Sequence, residues 1–381
     1  MSRPCYYLVG ATGFPNYGDE LIARGWLRYL AEVAPDADVW FDCHSPGPAR
    51  ILLDGVHPRA RFVDTLWRLC WEAPSVPAGD PVDPWEMSAW VQRAVHEPRL
   101  APRWTAGIEL LARADVVHVI GGGYITALWP RHIGLLAGAA AAATRSGGRA
   151  AMTGLGLDPA APGSARLLQA LAGRFEVVDV RDAASAQLLG EHQQPGVDDA
   201  FLDLGGHLFD PAADAPTFML CLQSDLVEEG RSRLAGFVLA TLREWGVDPG
   251  ELGVVEGMPG GDHEVYDLLR HELPGARFIP FDDVWVRGLP ARPGQTWICT
   301  RFHPHLVAAA AGATGVAVIV KPGYYSTKHH SLIELGSGWE LAEDFDVLPR
   351  RPTGTLDADA LATGREAKRE VADQVYCPAQ C

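Results

Sequence analysis

The chain has 381 residues, 48% hydrophobic and 21% charged, with 41 Gly and 29 Pro. That length and composition support two globular domains and exclude a disordered, fibrous or repetitive protein. Its 32 Lys and Arg stand against 48 Asp and Glu, a formal net charge of -16, which excludes a general binder of nucleic acid or of an anionic membrane, because a phosphate backbone needs cationic surface. An anionic ligand therefore needs a local cationic pocket. Seven Cys lie far apart, with no C-x-x-C and no zinc-like Cys/His spacing, and read as reduced thiols. The opening MSRPCYYLVG is too short in its apolar run for a signal peptide. No apolar stretch reaches the ~20 residues that span a bilayer. The expectation is a cytoplasmic protein, at most peripheral to the inner face of a membrane.

In chain order, short apolar runs end in Gly or a polar residue and lead into helical patterns, the alternation of an α/β protein with parallel sheets. Residues 6–9 are a predicted strand running into a Gly-rich loop, and 20–33 a predicted helix with Leu21, Ile22, Trp26, Leu27 and Leu30 on its buried face. Residues 43–104 fit the alternation poorly. They hold Pro-rich turns and five of the twelve Trp, namely Trp67, Trp71, Trp85, Trp90 and Trp104. A sugar-stacking lid is one reading of this insertion; a small helical subdomain with an aromatic core is the preferred one. Further strands are predicted at 115–120, 150–153 and 177–180, and an Ala-rich helix at 133–144.

Residues 206–216 lack apolar periodicity and collect Gly, Pro and Asp, so they read as a linker between a domain over 1–205 and a second over 217–350. In the second, strands are predicted at 218–222, 252–255, 277–279, 296–299 and 316–320, with helices at 232–245, 263–273, 305–311 and 331–335. Residues 351–381 form a C-terminal helix and tail that pack across the domains. The whole predicts two Rossmann-like domains facing a cleft, with ligands at the carboxyl ends of the strands.

Four motifs fall at such ends. Asn16, Gly18, Asp19 and Glu20 follow the first strand and open the first helix. Local chemistry there admits both an ordinary capped helix and an Asp acting as base toward a sugar hydroxyl. Gly121, Gly122 and Gly123, with Tyr124, follow the strand 115–120 and allow close approach of a phosphate or substrate, while lacking the dinucleotide fingerprint. His118, inside that strand, reads as a core histidine. Arg181 ends the strand 177–180 and Asp182 caps the next helix; the guanidinium suits a carboxylate or phosphate, and the competing reading is a salt bridge. Arg301, His303 and His305 sit between the strand 296–299 and a small-residue helix. There an arginine, a proton-exchanging imidazole and free backbone N–H groups suit an anion, with the offset of His305 turning it aside. Lys328 follows the last predicted strand as a point charge for an anionic substrate. The adjacent pair His329 and His330 lacks a third ligand at metal spacing.

Together these motifs resemble the polysaccharide pyruvyl transferase family over roughly residues 6–336. The family's N-x-G-D-E matches Asn16, Gly18, Asp19 and Glu20, its strand-GGG Gly121 to Gly123, and its G-x-G strand end Gly154 and Gly156. Its R-D-x-x-S matches Arg181, Asp182 and Ser185, and its R-x-H matches Arg301 and His303. The resemblance implies a fold like that of GT-B glycosyltransferases and transfer of the enolpyruvyl unit of phosphoenolpyruvate to a sugar, usually as a pyruvate ketal. It further implies that Arg301 and His303 contact phosphoenolpyruvate, that Arg181 is a second cationic contact, and that Asp19 lies near the acceptor. The chain departs from the family where an aromatic-acidic pair commonly precedes the lysine: here Gly323 to Thr327 precede Lys328. The expected partners are phosphoenolpyruvate and a sugar or glycan acceptor, free or lipid-linked, with no nucleic acid and no transmembrane segment. No cofactor is required, and Mg is permitted without being implied. The alternatives are a GT-B nucleotide-sugar glycosyltransferase and a catalytically silent glycan- or nucleotide-binding protein.

Overall fold

The computed structural model describes residues 3–73, 82–210 and 214–377. The expectations for 74–81 of the Trp-rich stretch, 211–213 of the linker and 378–381 of the tail lie outside the described residues, as does Cys381. The chain forms two compact units. The first comprises Met1–Pro15, Asp19–Asp203 and Arg365–Cys381, and the second Asn16–Gly18 and Leu204–Gly364.

The first unit is built on six strands: β1 (Cys5–Val9), β2 (Asp38–Asp42), β3 (Ala60–Val63), β4 (Val116–Val119), β5 (Arg149–Leu155) and β6 (Val177–Val180). All neighbours pair in parallel, in the order β3-β2-β1-β4-β5-β6. The second unit has β7 (Phe218–Cys221), β8 (Leu252–Val255), β9 (Arg277–Ile279), β10 (Thr296–Cys299), β11 (Thr314–Val318) and β12 (Glu340–Ala342), in the order β12-β11-β10-β7-β8-β9. Numbered within its own sheet, each unit therefore shows the Rossmann strand order, which reverses direction between its first and fourth strands. The central strands β4, β7 and β10 are buried at every residue, as expected of parallel strands covered on both faces.

The two predicted Rossmann-like halves are thus present, and four strands are found where the apolar runs placed them: Val177–Val180, Leu252–Val255, Arg277–Ile279 and Thr296–Cys299. Three strands escaped the reading. β2 (DVWFD) begins and ends in Asp, β3 (ARFV) carries a single buried-type pair, and β12 is three residues long, so none makes an apolar run. The helix Phe281–Arg287 escaped it too. The stretch 43–104 also differs from an inserted lid or separate subdomain. It contributes edge strand β3 and the helices Thr65–Trp71 and Pro84–His96, whose Leu66, Trp67, Cys70, Trp90 and Val91 join one continuous core with the sheet residues. The Ala-rich helix Ile133–Ser146 lets them in. A Cβ on Gly134 would stand 2.7 Å from the Cys70 sulfur, and one on Gly138 2.6 Å from Leu66 Cδ2, so the helices close on each other only where side chains are missing.

In the expected linker, the Asp210 N–H donates to the Leu289 carbonyl and the Leu289 N–H to the Leu208 carbonyl, which ties this stretch to the second unit. The last helix, Ala358–Tyr376, begins in the second unit and from Arg365 belongs to the first. No helix of the described residues is long and apolar enough to cross a membrane.

Candidate functional site

In the second unit the strand order reverses between β7 and β10, and the R-x-H motif lies at that point. Thr300 ties the two strand ends together: its N–H donates to the Cys221 carbonyl (3.0 Å), and its Oγ1 accepts from the Gln223 N–H (2.7 Å). Arg301 follows in an extended conformation as the residue capping the helix Phe302–Ala310, so His303 stands in the first helical turn. The guanidinium is fixed from outside the motif. Its Nε donates to Asp262 Oδ2 (2.8 Å), and its Nη2 reaches Asp262 Oδ1 and Asp225 Oδ1 (3.3 Å). Asp262 is itself oriented by the N–H groups of Gly257 and Met258. Burial works against the Arg301 charge, but Asp262 and Asp225 push its pKa above the ordinary value. The Arg301 and Asp262 side chains are 8% and 2% exposed, whereas Asp225 is 48% exposed. The inner carboxylate is locked and the outer one is open to exchange.

The motif residues Asn16 and Gly18 group with this unit. Asn16 Oδ1 accepts from the Gly18 N–H (3.3 Å), the Tyr17 N–H donates to the Gly257 carbonyl (2.9 Å), and a Cβ on Gly18 would overlap the His303 imidazole. The glycine of the first motif therefore makes room for the histidine of the fourth.

His305, expected among the substrate-binding residues, is instead fully buried, stacked on Trp339 at 4.3 Å. Its Nδ1 is 3.0 Å from His329 Nδ1, its Nε2 3.2 Å from Ser337 Oγ, and His329 Nε2 is 3.2 Å from the Thr300 carbonyl. That carbonyl can only accept, so His329 Nε2 carries a proton and donates to Thr300. Burial holds His305 well below the usual imidazole range. The pair braces the strand end that carries Arg301. His330 turns outward to Glu343, so the adjacent histidines do not share a ligand. Lys328 is buried, with its Nζ 3.4 Å from the centre of the Tyr324 ring and 5.0 Å from that of Tyr325, a cation–π seat.

In the first unit the reversal lies between β1 and β4, flanked by the loop before the first helix and by the glycine triplet. The helix Tyr17–Val33 starts earlier than its apolar face suggested, which puts Asp19 and Glu20 in its first turn. Glu20 does not cap the helix outward. Its carboxyl is buried, accepts from the Gly13 N–H (2.7 Å) and meets the Thr12 hydroxyl. Burial pushes its pKa up to about 7, against the pull of those two hydrogen bonds. Asp19 is half-buried, with its Oδ1 3.7 Å from where a Cβ on Gly122 would lie.

The glycine triplet is not the open cradle its composition suggests. The Gly121 N–H donates to Asp199 Oδ2 (2.7 Å), and Cβ atoms on Gly121 and Gly154 would strike the same side chain. Gly122 has a positive φ of 141°, and its N–H meets the Gly154 carbonyl at 3.5 Å. Gly123 lies in the same turn, and the buried Tyr124 hydroxyl donates back to the Ile120 carbonyl (2.6 Å). Asp199 also accepts from Trp26 Nε1 and from Thr153 Oγ1, both at 2.7 Å. Lys368 of the last helix, fully buried, donates to Asp199 (2.9 Å) and pairs with Asp179. His118 is the expected core histidine, bonded to Thr153 Oγ1 (2.8 Å) and Tyr376 Oη (2.9 Å), with burial pushing it down to about 3. Arg181 also departs from expectation. Its side chain is 2% exposed, it donates to Asp198 Oδ2 (2.9 Å) and lies 3.8 Å from Asp182. A Cβ on Gly156 would meet its guanidinium at 2.7 Å. The salt-bridge reading holds here, and Arg181 supports the G-x-G strand end rather than an open anion contact. Reading the sequence missed Asp199, Asp179 and Lys368 altogether, since the lysine lies 169 and 189 residues from its two partners and no local pattern marks it.

Among the described residues no group of three or more His, Cys, Asp or Glu is placed to hold a metal ion.

The fold recurs in solved structures. The UDP-GlcNAc 2-epimerase from Methanocaldococcus jannaschii is 12% identical with a TM-score of 0.56, covering 98% of this chain and 99% of that one. A second UDP-N-acetylglucosamine 2-epimerase is also 12% identical with a TM-score of 0.56, covering 98% and 95%. TcCGT1, solved in complex with UDP, is 11% identical with a TM-score of 0.51, covering 98% and 95%. At these identities the likeness establishes the fold, that of two GT-B-like Rossmann halves. No curated protein sequence matches. Residues 16–203 match the family model described as Polysaccharide pyruvyl transferase.

Proposed function

We propose that this protein transfers a pyruvyl group from phosphoenolpyruvate to hydroxyls of a sugar acceptor, forming a pyruvate ketal on a cell-surface glycan or glycan precursor. The observation that carries the reading is the Arg301 cluster at the strand reversal of the second unit. It is a buried guanidinium fixed by Asp262, with a half-exposed carboxylate as its outer partner and His303 in the first turn of the helix that Arg301 caps. A small anion can take the place of the Asp225 carboxylate on Nη2. The family match over residues 16–203 names the transfer that such a site would serve.

In this mechanism His303 protonates the methylene carbon of phosphoenolpyruvate, which leaves the central carbon electrophilic, and a sugar hydroxyl adds there as its proton passes to a base. A second hydroxyl then forms the second C–O bond as the bond from the central carbon to the phosphate oxygen breaks; phosphate leaves with that oxygen and the electron pair, takes up the hydroxyl's proton, and the ketal closes. Arg301 and Lys328 offset the negative charge of the phosphate and carboxylate. The route needs no metal ion.

The test is phosphate release from phosphoenolpyruvate with a panel of hexosides, followed by mass measurement of the product. A gain of pyruvate less one water supports the reading. The fold is shared with TcCGT1, solved with UDP, so the same panel includes UDP-sugars. A gain of one hexose replaces the pyruvyl reading with glycosyl transfer, and no turnover with either donor leaves a silent binding protein.

A further inference from the structure

The Trp-rich stretch holds a pair of polar atoms that the proposed chemistry does not use. Trp67 and His132 meet edge to face, with ring centres 4.7 Å apart, and both residues are buried. Each carries a buried polar atom with no hydrogen-bond partner, Trp67 Nε1 and His132 Nε2. Leaving such atoms unpaired costs about 1–3 kcal/mol each, so the pair points to a missing partner. The missing partner's chemistry can be read from the two rings. His132 Nδ1 lies 2.8 Å from the Tyr124 carbonyl, which can only accept, so Nδ1 carries the proton and Nε2 presents a lone pair. Burial keeps the ring neutral, pushing its pKa down to about 4. Trp67 Nε1 can only donate. A donor and an acceptor on two rings in contact suit a group that accepts and donates at once, which is a hydroxyl.

The surroundings favour a sugar hydroxyl over an isolated one. One turn beyond Trp67, Trp71 is 49% exposed and has the Arg131 guanidinium 5.5 Å from its ring centre. Trp129 lies parallel to His132 at 6.4 Å, and His44 meets Trp67 edge-on at 6.0 Å. His44 follows β2, and Trp129 and His132 follow the loop after β4, so the cluster sits at the carboxyl edge of the sheet, where Rossmann sheets bind ligands. Indole faces suit the C–H faces of a pyranose ring.

We propose that this aromatic cluster is the acceptor subsite: a hexopyranoside lies against Trp71 and places one hydroxyl between Trp67 Nε1–H and His132 Nε2. The identification of the ligand as the acceptor rests on the pyruvyl-transfer reading; the binding of a hexopyranoside does not.

The test uses the full chain and methyl hexopyranosides, with affinity measured by calorimetry in the absence of phosphoenolpyruvate. Trp71→Ala removes a half-exposed ring and spares the fold; Trp67→Phe keeps the ring and deletes only the N–H. The best-bound hexoside is expected to lose roughly tenfold in affinity with Trp71→Ala and about fivefold with Trp67→Phe. Wild-type protein that binds no hexoside overturns the subsite, as does unchanged affinity in both variants, which would mean that a trapped water serves the orphaned pair. Hexoside binding that depends on Trp71 in a protein releasing no phosphate from phosphoenolpyruvate overturns the pyruvyl reading alone. Turnover with an unchanged acceptor KM in both variants overturns the subsite alone.

Discussion

Lys368 in the first unit and Arg301 in the second are each buried between two carboxylates, and the two clusters differ in how far the outer carboxylate is exposed. Lys368, Asp179 and Asp199 in the first unit are 0%, 10% and 0% exposed, and Trp26, Gly121 and Thr153 take the remaining acceptor capacity of Asp199. Arg301 and Asp262 in the second are nearly as buried, but Asp225 is half in water. A closed cluster with every group satisfied has nothing to offer a ligand and serves to hold elements together. An open one keeps its charge poised while one partner can leave. Both arise from a charged residue near a strand end, so residue type alone does not separate glue from site; the exposure of the outermost carboxylate does.

The largest expected effect breaks the closed cluster. Lys368→Met leaves two buried carboxylates facing each other, and should lower the unfolding free energy by about 3–5 kcal/mol in denaturant titration. A loss below 1 kcal/mol would mean that the last helix is not held by its lysine. Next, His303→Ala should reduce phosphoenolpyruvate-dependent phosphate release by about 10²-fold or more, with little change in melting temperature. Retained turnover removes His303 from the chemistry.

A third prediction concerns pH. Burial raises Glu20 and Asp42 to about 7 in the folded chain, so between pH ~4.5 and 7 these two groups bind more protons folded than unfolded and the stability they contribute falls as pH rises through that window, against the opposite slope of His118 and His132, which burial lowers to about 3 and about 4. For Glu20 the span is about 3 kcal/mol. Glu20→Gln, which keeps the contacts with Thr12 and Gly13, should remove that part of the slope in melts taken from pH 5 to 8, leaving the part due to Asp42. The smallest effect sharpens the comparison itself. Asp225→Asn should change stability by no more than about 0.5 kcal/mol while lowering the KM for phosphoenolpyruvate, because a competing carboxylate is gone. An unchanged KM would place Arg301 with the closed cluster.

Much of the scaffold could be read from the residues. Wherever a strand is an unbroken apolar run between Gly or polar residues, as in β8 and β10, the pattern found it, and the R-x-H motif stood where strand meets helix. β2 and β3 stayed hidden because Asp and Arg punctuate them. Arg181 was misplaced because a chemically able side chain beside a strand end was taken to face outward, and only packing decides which way it turns. Asp198 claims Arg181, and the Trp339 ring covers His305. Asp199 and Lys368 were invisible, since the meaning of each depends on a partner supplied by the far end of the chain.

That last arrangement bears on how the protein comes to be folded. A nascent chain that has emerged through Asp203 has all six strands of the first sheet, yet the lysine that neutralises Asp179 and Asp199 is still more than a hundred residues from synthesis. Until it arrives, two carboxylates buried in that unit must stay hydrated or protonated, so the half made first is the half finished last. Domain-by-domain folding during translation, the usual order for chains of this size, is here deferred for the N-terminal half until the final helix is released.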